Sequence, residues 1–207
     1  MLKIQFKNQL EFDIYLAEQK VRMEKGYLTV SERNQLKPML EKNYKPIFIK
    51  DEKLKLPIVT DINYLKQPCQ EVTKEDNVKE IIQKLKDTLE SNGGLGLSAN
   101  QIRIQKRISY LKIPKFVDKK LEFNEYILIN AKIIEKNNPI KVKNEGCLSF
   151  PGVYVDTLRY VFCTVTYLDE NLKENTGLFQ DLESLAIQHE CDHQLGIVLF
   201  NRKWRTK

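Results

Sequence analysis

The sequence predicts an α+β fold in which antiparallel and mixed strands surround a central helix carrying an HExxH motif. Three observations carry that expectation. Residues 108–111, 126–134 and 160–167 are rich in β-branched and aromatic side chains and are separated by polar or proline-bearing turns. From Leu178 to His193, apolar and histidine positions recur instead at helical spacing. Composition is that of an ordinary globular chain with one main domain, 42% hydrophobic and 30% charged over 207 residues.

Taken from the N-terminus, residues 1–55 stand apart from residues 56–207. Apolar positions at Leu10, Ile14, Ala17 and Val21, then a Thr29-x-x-Glu32 capping box leading to Leu36, Met39 and Leu40, predict a helical pair. So small a piece rarely stabilises itself, so it is expected to pack on the rest of the chain or on a partner. Glu11, Asp13 and Glu18 interrupt it early, which argues against a signal or transit peptide. No stretch approaches the ~20 apolar residues of a membrane span. A cytoplasmic chain is therefore expected.

Thr73 with Asp76 reads as a capping-box-like start to a helix whose apolar face is Val78, Ile81, Ile82, Leu85 and Leu89, with Gly93 as its C-terminal cap. Gly96 is then free to let another chain approach the backbone closely. In the strand-rich middle, Cys163 falls on one face with Val161 and Val165 and reads as a small core residue. Cys69 follows a proline in a polar loop. The four cysteines lack paired spacing, as suits free thiols in a reducing compartment.

The chain's two histidines, His189 and His193, stand four apart around Glu190. On a helix these positions share a face, so both imidazoles can reach one divalent ion while Glu190 lies beside an open coordination position as general base. The stripe Leu178, Leu182, Leu185, Ala186, His189, His193 places both histidines in line with buried positions, and Gly196 is a plausible stop. Two histidines leave a tetrahedral site one protein ligand short, to be filled by a carboxylate or a cysteine. Cys191 is turned about 200° around the helix from both histidines and cannot share their ion. Cys147, in Glu145-Gly146-Cys147-Leu148-Ser149, follows a glycine that lets the backbone come close to another group.

Three ordered segments, GLGLSANQ (94–101), EGCLS (145–149) and QHECDH (188–193), resemble the signature motifs of the peptide deformylases, and the similarity runs from about Pro57 to Phe200. The resemblance implies the deformylase fold and an enzyme that hydrolyses the N-formyl group from the N-terminal formyl-methionine of nascent polypeptides, releasing formate. It makes Cys147, His189 and His193 the metal ligands and Glu190 the general base and acid. Gln101, through its side-chain amide, and Leu148, through its backbone N–H, become donors to the formyl oxygen. The methionine pocket is expected to be lined by Leu95, Gly146, Leu182, Leu185 and Ala186, and Gly96 is expected to let the substrate approach the backbone. Glu145, Arg159 and Asp192 are expected to support the ligands. The cofactor implied is one divalent metal per chain, Fe2+ in the cell, with Zn2+, Ni2+ or Co2+ as alternatives.

The chain departs from the family pattern at two places near the motifs. Ser98 stands where alanine is usual, and Gln194 stands where an apolar residue is usual, so that edge of the helix is expected to be exposed. The chain also stops soon after LFNRKW, without the further C-terminal helix of many bacterial members. Net charge is +6, with basic clusters at Lys112, Lys115, Lys119 and Lys120 and at Arg202, Lys203, Arg205 and Lys207, which permits contact with ribosomal RNA. A monomer is expected. A zinc peptidase and a non-catalytic RNA-binding scaffold are the rival functions. The first wants a carboxylate or histidine as third ligand, and the second is disfavoured by the survival of every signature residue.

Overall fold

Short helices and one continuous sheet build the computed structural model, which describes residues 56–117 and 120–205. The helical pair expected over residues 1–55 lies outside the described residues. By contacts the described residues fall into two units, 56–112 with 125–205 and 113–117 with 120–124; in the second, Lys115 and Glu122 form an ion pair. The elements in order are α1 (Ile62–Leu65), α2 (Val78–Asn92), β1 (Gly96–Ser98), β2 (Ile108–Val117), β3 (Lys120–Gly146), β4 (Tyr154–Leu168), β5 (Glu174–Gln180) and α3 (Asp181–Gln194). The five strands lie in the sheet in chain order, and the pairs β1–β2, β3–β4 and β4–β5 are antiparallel.

Helix α2 forms where the apolar spacing predicts it. Val78, Ile82, Leu85 and Leu89 are buried and join Leu97, Ile108, Tyr110 and Ile129 in one core cluster, with Ile81 packed against it. Gly93 caps the helix at φ 72°, its N–H returning to the Leu89 carbonyl. The start differs from expectation. Thr73 and Asp76 make a separate turn upstream, with the Thr73 N–H donating to Asp76 Oδ2 at 2.8 Å. Asn77 is the cap, its Oδ1 accepting from the Glu80 N–H while its side-chain Nδ2 donates to Glu80 Oε2.

The strands outrun their sequence signals. β3 has 27 residues and bends at register breaks between Ile129 and Lys132, Ile133 and Glu135, and Val142 and Glu145. Asn130 and Asn144 take up positive φ at two of these breaks, a conformation asparagine tolerates better than most residues. Asn130 also clamps Val72, accepting its N–H at 2.8 Å and donating to its carbonyl at 3.0 Å.

Helix α3 is buried nearly all round rather than along one stripe: Ser184, Ala186, Ile187, Gln188, Glu190, Cys191, Asp192, His193 and Gln194 are all buried. Leu178, expected as the first residue of that stripe, belongs instead to β5. It pairs with Thr164 and is 72% exposed, because strand alternation turns Phe179 inward and Leu178 out. Gln194, expected to be exposed, is 1% exposed. Polar side chains tie the helix to the sheet. Where β5 ends, the free edge of β4 at Tyr160 is met by Gln188, which accepts the Tyr160 N–H at 3.1 Å and donates to its carbonyl at 2.7 Å. The helix closes on a Schellman turn: Gly196 N–H to the His193 carbonyl, Ile197 N–H to the Asp192 carbonyl, and Gly196 at φ 70°. A Cβ on Gly196 would also fall 2.5 Å from the Lys66 carbonyl oxygen, so glycine is required there twice over.

Candidate metal centre

The hairpin between β3 and β4 and the helix α3 bring three donors together. Cys147 follows the last residue of β3 and opens a tight turn, its carbonyl accepting the Phe150 N–H at 3.0 Å. His189 and His193 lie one turn apart on α3, and the ligand atoms of Cys147, His189 and His193 all fall within 4.8 Å of one another. Cys147 Sγ is 3.3 Å from His193 Nε2. Donors of a tetrahedral ion, at about 2.3 Å for sulfur and 2.0–2.1 Å for nitrogen, stand about 3.5 Å apart, so the spacing fits a metal.

The surroundings fit a cation equally well. His189 Nδ1 is engaged with Glu145 Oε1 at 2.6 Å, which leaves Nε2 as the atom free for a ligand bond. Burial alone pushes His189 down, but the neighbouring Cys147 and Glu145 outweigh it and raise its pKa well above the ordinary histidine value. A proton there stands where a cation is wanted. Burial, with the positive His189 and Arg159 nearby, holds His193 well below the ordinary value, so its ring is neutral and offers a lone pair. His193 Nδ1 is buried without a hydrogen-bond partner among the described residues.

Behind His189 lies a paired set of charges. Burial would raise Glu145, but the Arg159 guanidinium and His189 hold its carboxyl well below the usual carboxylate range. Arg159, 2% exposed, grips Glu145 through Nε (2.9 Å) and Nη2 (2.6 Å) and reaches Asp192 Oδ2 through Nη1 (2.6 Å). Thr157 also donates to Glu145. The expected supporting trio of Glu145, Arg159 and Asp192 is thus brought together. A fourth member is Arg202, which the sequence places in a basic tail. It grips Asp192 through Nε (3.0 Å) and Nη2 (2.6 Å), and no local signal in the sequence marks that role.

Gln101 sits in a single turn of 3-10 helix after β1. Its Oε1 accepts the Ser98 N–H at 2.9 Å, which aims Nε2 at Ser149 Oγ (3.1 Å) and Cys147 Sγ (3.5 Å). Leu148 is half-buried beside Gly94, where an added Cβ would come within 3.3 Å of its side chain. Glu190, 4% exposed, is raised by burial, with His189, a bond from Ser98 and Arg159 pulling the other way. Gly96 has a role the sequence did not reveal: a Cβ there would fall 2.6 Å from Glu190 Oε1, so its lack of a side chain makes room for the carboxylate. Gly146 likewise makes room for Tyr154, whose ring would lie 3.1 Å from an added Cβ. Leu182 and Leu185 are half-buried and Ala186 is buried on the helix face that includes His189, while Leu95 is half-buried at the entrance to β1.

Cysteine reactivity follows from burial. Cys69, Cys163 and Cys191 are buried and Cys147 is half-buried. Burial pushes the Cys69 thiol up to about 12 and raises Cys163 and Cys191 as well, so none of the three is a thiolate at neutral pH. A colorimetric disulfide reagent should therefore modify one thiol, Cys147, in the folded metal-free protein, and all four cysteines after denaturation. Bound metal should protect Cys147. Modification of two or more thiols in the folded state would contradict this picture.

Comparison with known proteins gives concordant results. A family model described as polypeptide deformylase matches residues 55–207. A peptide deformylase of Clostridium beijerinckii is 37% identical over 145 residues, 69% of this chain and 98% of the relative. One from Synechocystis is 34% identical over 139 residues, 67% of this chain and 73% of the relative. The crystal structure of peptide deformylase from Ehrlichia chaffeensis superposes with a TM-score of 0.66 at 32% identity, covering 73% of this chain and 89% of that one. No helix among the described residues is long and apolar enough to cross a membrane.

Proposed function

Since the chain belongs to the polypeptide deformylase family, an enzyme family that removes N-formyl groups from nascent peptides, we propose that Cys147, His189 and His193 hold its metal and that Glu190 moves the proton. The observation that carries the reading is the convergence of one thiol and two imidazoles within 4.8 Å, next to a buried carboxylate on the same helix. Residues 56–207 are proposed as the catalytic domain. When bound, the metal supplies a Lewis acid and lowers the pKa of water from 15.7 to about 7. Fe2+ is the ion proposed, as the family resemblance implies, with Zn2+, Ni2+ or Co2+ as alternatives, because a thiolate with two imidazoles suits several first-row metals.

The chain's own residues then divide the work. Glu190 accepts the proton of the attacking water and delivers it to the amine nitrogen as the C–N bond breaks, so that formate and a free methionyl amine leave. Gln101 Nε2 and the Leu148 N–H donate to the formyl oxygen as it gains charge, each worth roughly 3 kcal/mol by analogy with other oxyanion donors. Leu95, Gly146, Leu182, Leu185 and Ala186 are proposed to border the methionine side chain. Glu145, with Arg159 and Asp192 behind it, fixes the His189 ring so that Nε2 faces the metal.

The test is formate release from N-formyl-Met-Ala-Ser by protein prepared anaerobically with Fe2+. Formate with no cleavage of internal peptide bonds is expected; cleavage of internal bonds without formyl preference would favour a zinc peptidase. A ribosomal contact is part of the same proposal, but the basic clusters are partly occupied. Lys112 pairs with Glu90, Lys115 with Glu122 and Arg202 with Asp192, which leaves Lys203 and Arg205 as the tail's contribution among the described residues. The enzyme is proposed to act as a monomer.

A further inference from the structure

Ser98 and Gln194, which the sequence marks only as minor departures from the family pattern, belong to one buried hydrogen-bond chain that starts at Gln194 and ends on Glu190. We propose that Ser98 is a positioning residue for Glu190, held in its donating sense by Ser109 and Gln194. The inference rests on the reading of Glu190 as the proton carrier.

With Glu190 ionised, the direction of every bond in the chain follows from its two ends. Gln194 accepts the Ala131 N–H at 3.1 Å, and a backbone N–H can only donate, so that atom of the amide is Oε1. Nε2 then spends its two hydrogens on the Leu128 carbonyl and on Ser109 Oγ, both at 2.9 Å. At the other end, Ser98 Oγ lies 2.6 Å from Glu190 Oε2. In the ionised form that receives the water proton the carboxylate only accepts, so Ser98 gives its single hydrogen there in preference to the Glu190 carbonyl oxygen, which lies farther off at 3.3 Å. The 2.7 Å bond between the two serines would by itself run either way, but with the Ser98 hydrogen committed, Ser109 must be the donor. The order is Gln194 to Ser109 to Ser98 to Glu190. All four residues are at most 4% exposed, so no water competes for these bonds.

The consequence falls on the carboxylate. The terminal torsion of glutamate is broad, so an unanchored carboxylate samples many orientations. Ser98 engages Oε2 and thereby leaves Oε1, the oxygen for which Gly96 makes room, as the one that takes up and returns the proton. Without Gln194, Ser109 could accept rather than donate, and Ser98 could turn its hydrogen away from Glu190. Gln194 thus acts on Glu190 only through Ser98.

That dependence gives the test. Ser98→Ala, Gln194→Met and the double variant are compared in the metal-loaded enzyme by steady-state formate release, with metal content and melting temperature recorded. Ser98→Ala should lower kcat on the order of tenfold, the size expected for losing a hydrogen bond to a charged group, with KM and metal content unchanged. Gln194→Met should lower kcat by about threefold when Ser98 is present and not at all when alanine replaces it, because coupled groups fail to add. A kcat for Ser98→Ala within twofold of the parent, or an equal loss from Gln194→Met in both backgrounds, would overturn the proposal. Ser98→Ala removes one buried oxygen and decides the matter alone if Gln194→Met does not fold. Full activity in Glu190→Gln would instead reject Glu190 as the proton carrier, a distinguishable failure.

Discussion

Glu190→Gln should lower kcat/KM for formate release by about a thousandfold while leaving metal content and melting temperature unchanged, within the range of roughly a hundred- to ten-thousandfold that general acid–base groups contribute. The substitution is nearly isosteric, and the amide oxygen of glutamine can still accept the Ser98 hydroxyl that bonds Glu190 Oε2 at 2.6 Å. Neither the metal donor positions nor the helix packing are touched, because none of the contacts among Cys147, His189 and His193, nor the Glu145 bond that orients His189, runs through the Glu190 side chain. What is lost is the capacity to take a proton from water and return it to the amine. Residual turnover should come from the metal and the oxyanion donors alone. Activity within tenfold of the parent, with metal retained, would show that another group moves the proton.

How much of this was legible in the sequence depends on the range of the interaction. Local chemistry was readable: the i, i+4 pair His189 and His193, the glycine stops at Gly93 and Gly196, and the alternation of Tyr160 to Tyr167 all reappear where they were expected. Signals failed where two elements had to meet first. Leu178 has the right spacing for the helix but obeys the strand that precedes it, since pairing with β4 decides the orientation of β5. The polar run Glu135-Lys136-Asn137-Asn138 hides half of β3, because that stretch faces water and carries no apolar alternation. Gln194 and Ser98 read as minor departures. Their partners lie 85 and 92 residues away in sequence, so only the folded chain reveals that they share one network. Arg202 was grouped with surface charges for the same reason, its partner Asp192 being buried on a helix whose burial all round could not be read from one apolar stripe.

The largest stability effect should come from Arg159→Leu. Arg159 is fully buried and, among the described residues, is the one cation shared by Glu145 and Asp192, whose side chains are 12% and 6% exposed. Leucine would leave Glu145 with only Thr157 and His189 and Asp192 with Arg202, two carboxylates in a desolvated space with half their counter-charge gone. Removing one partner of a buried ion pair costs about 3–5 kcal/mol. For a chain of this size that corresponds to a fall in melting temperature of roughly 10 °C. The metal should be held about 10- to 100-fold more weakly, because His189 loses the carboxylate orientation that fixes its ring. Arg159→Lys should not restore the parent values, since an ammonium cannot make the paired grip on Glu145 and reach Asp192 as well. The effect should also depend on pH. Because the folded-state pKa of Glu145 is depressed, its contribution is complete above the unfolded carboxylate value of about 4.3 and is lost as pH falls through the lower folded value. The gap between parent and Arg159→Leu in chemical denaturation should therefore be widest at neutral pH and narrow below about pH 4. A gap under about 1 kcal/mol at pH 7, no more than an exposed ion pair gives, would mean that the buried charges behind His189 do not support the site.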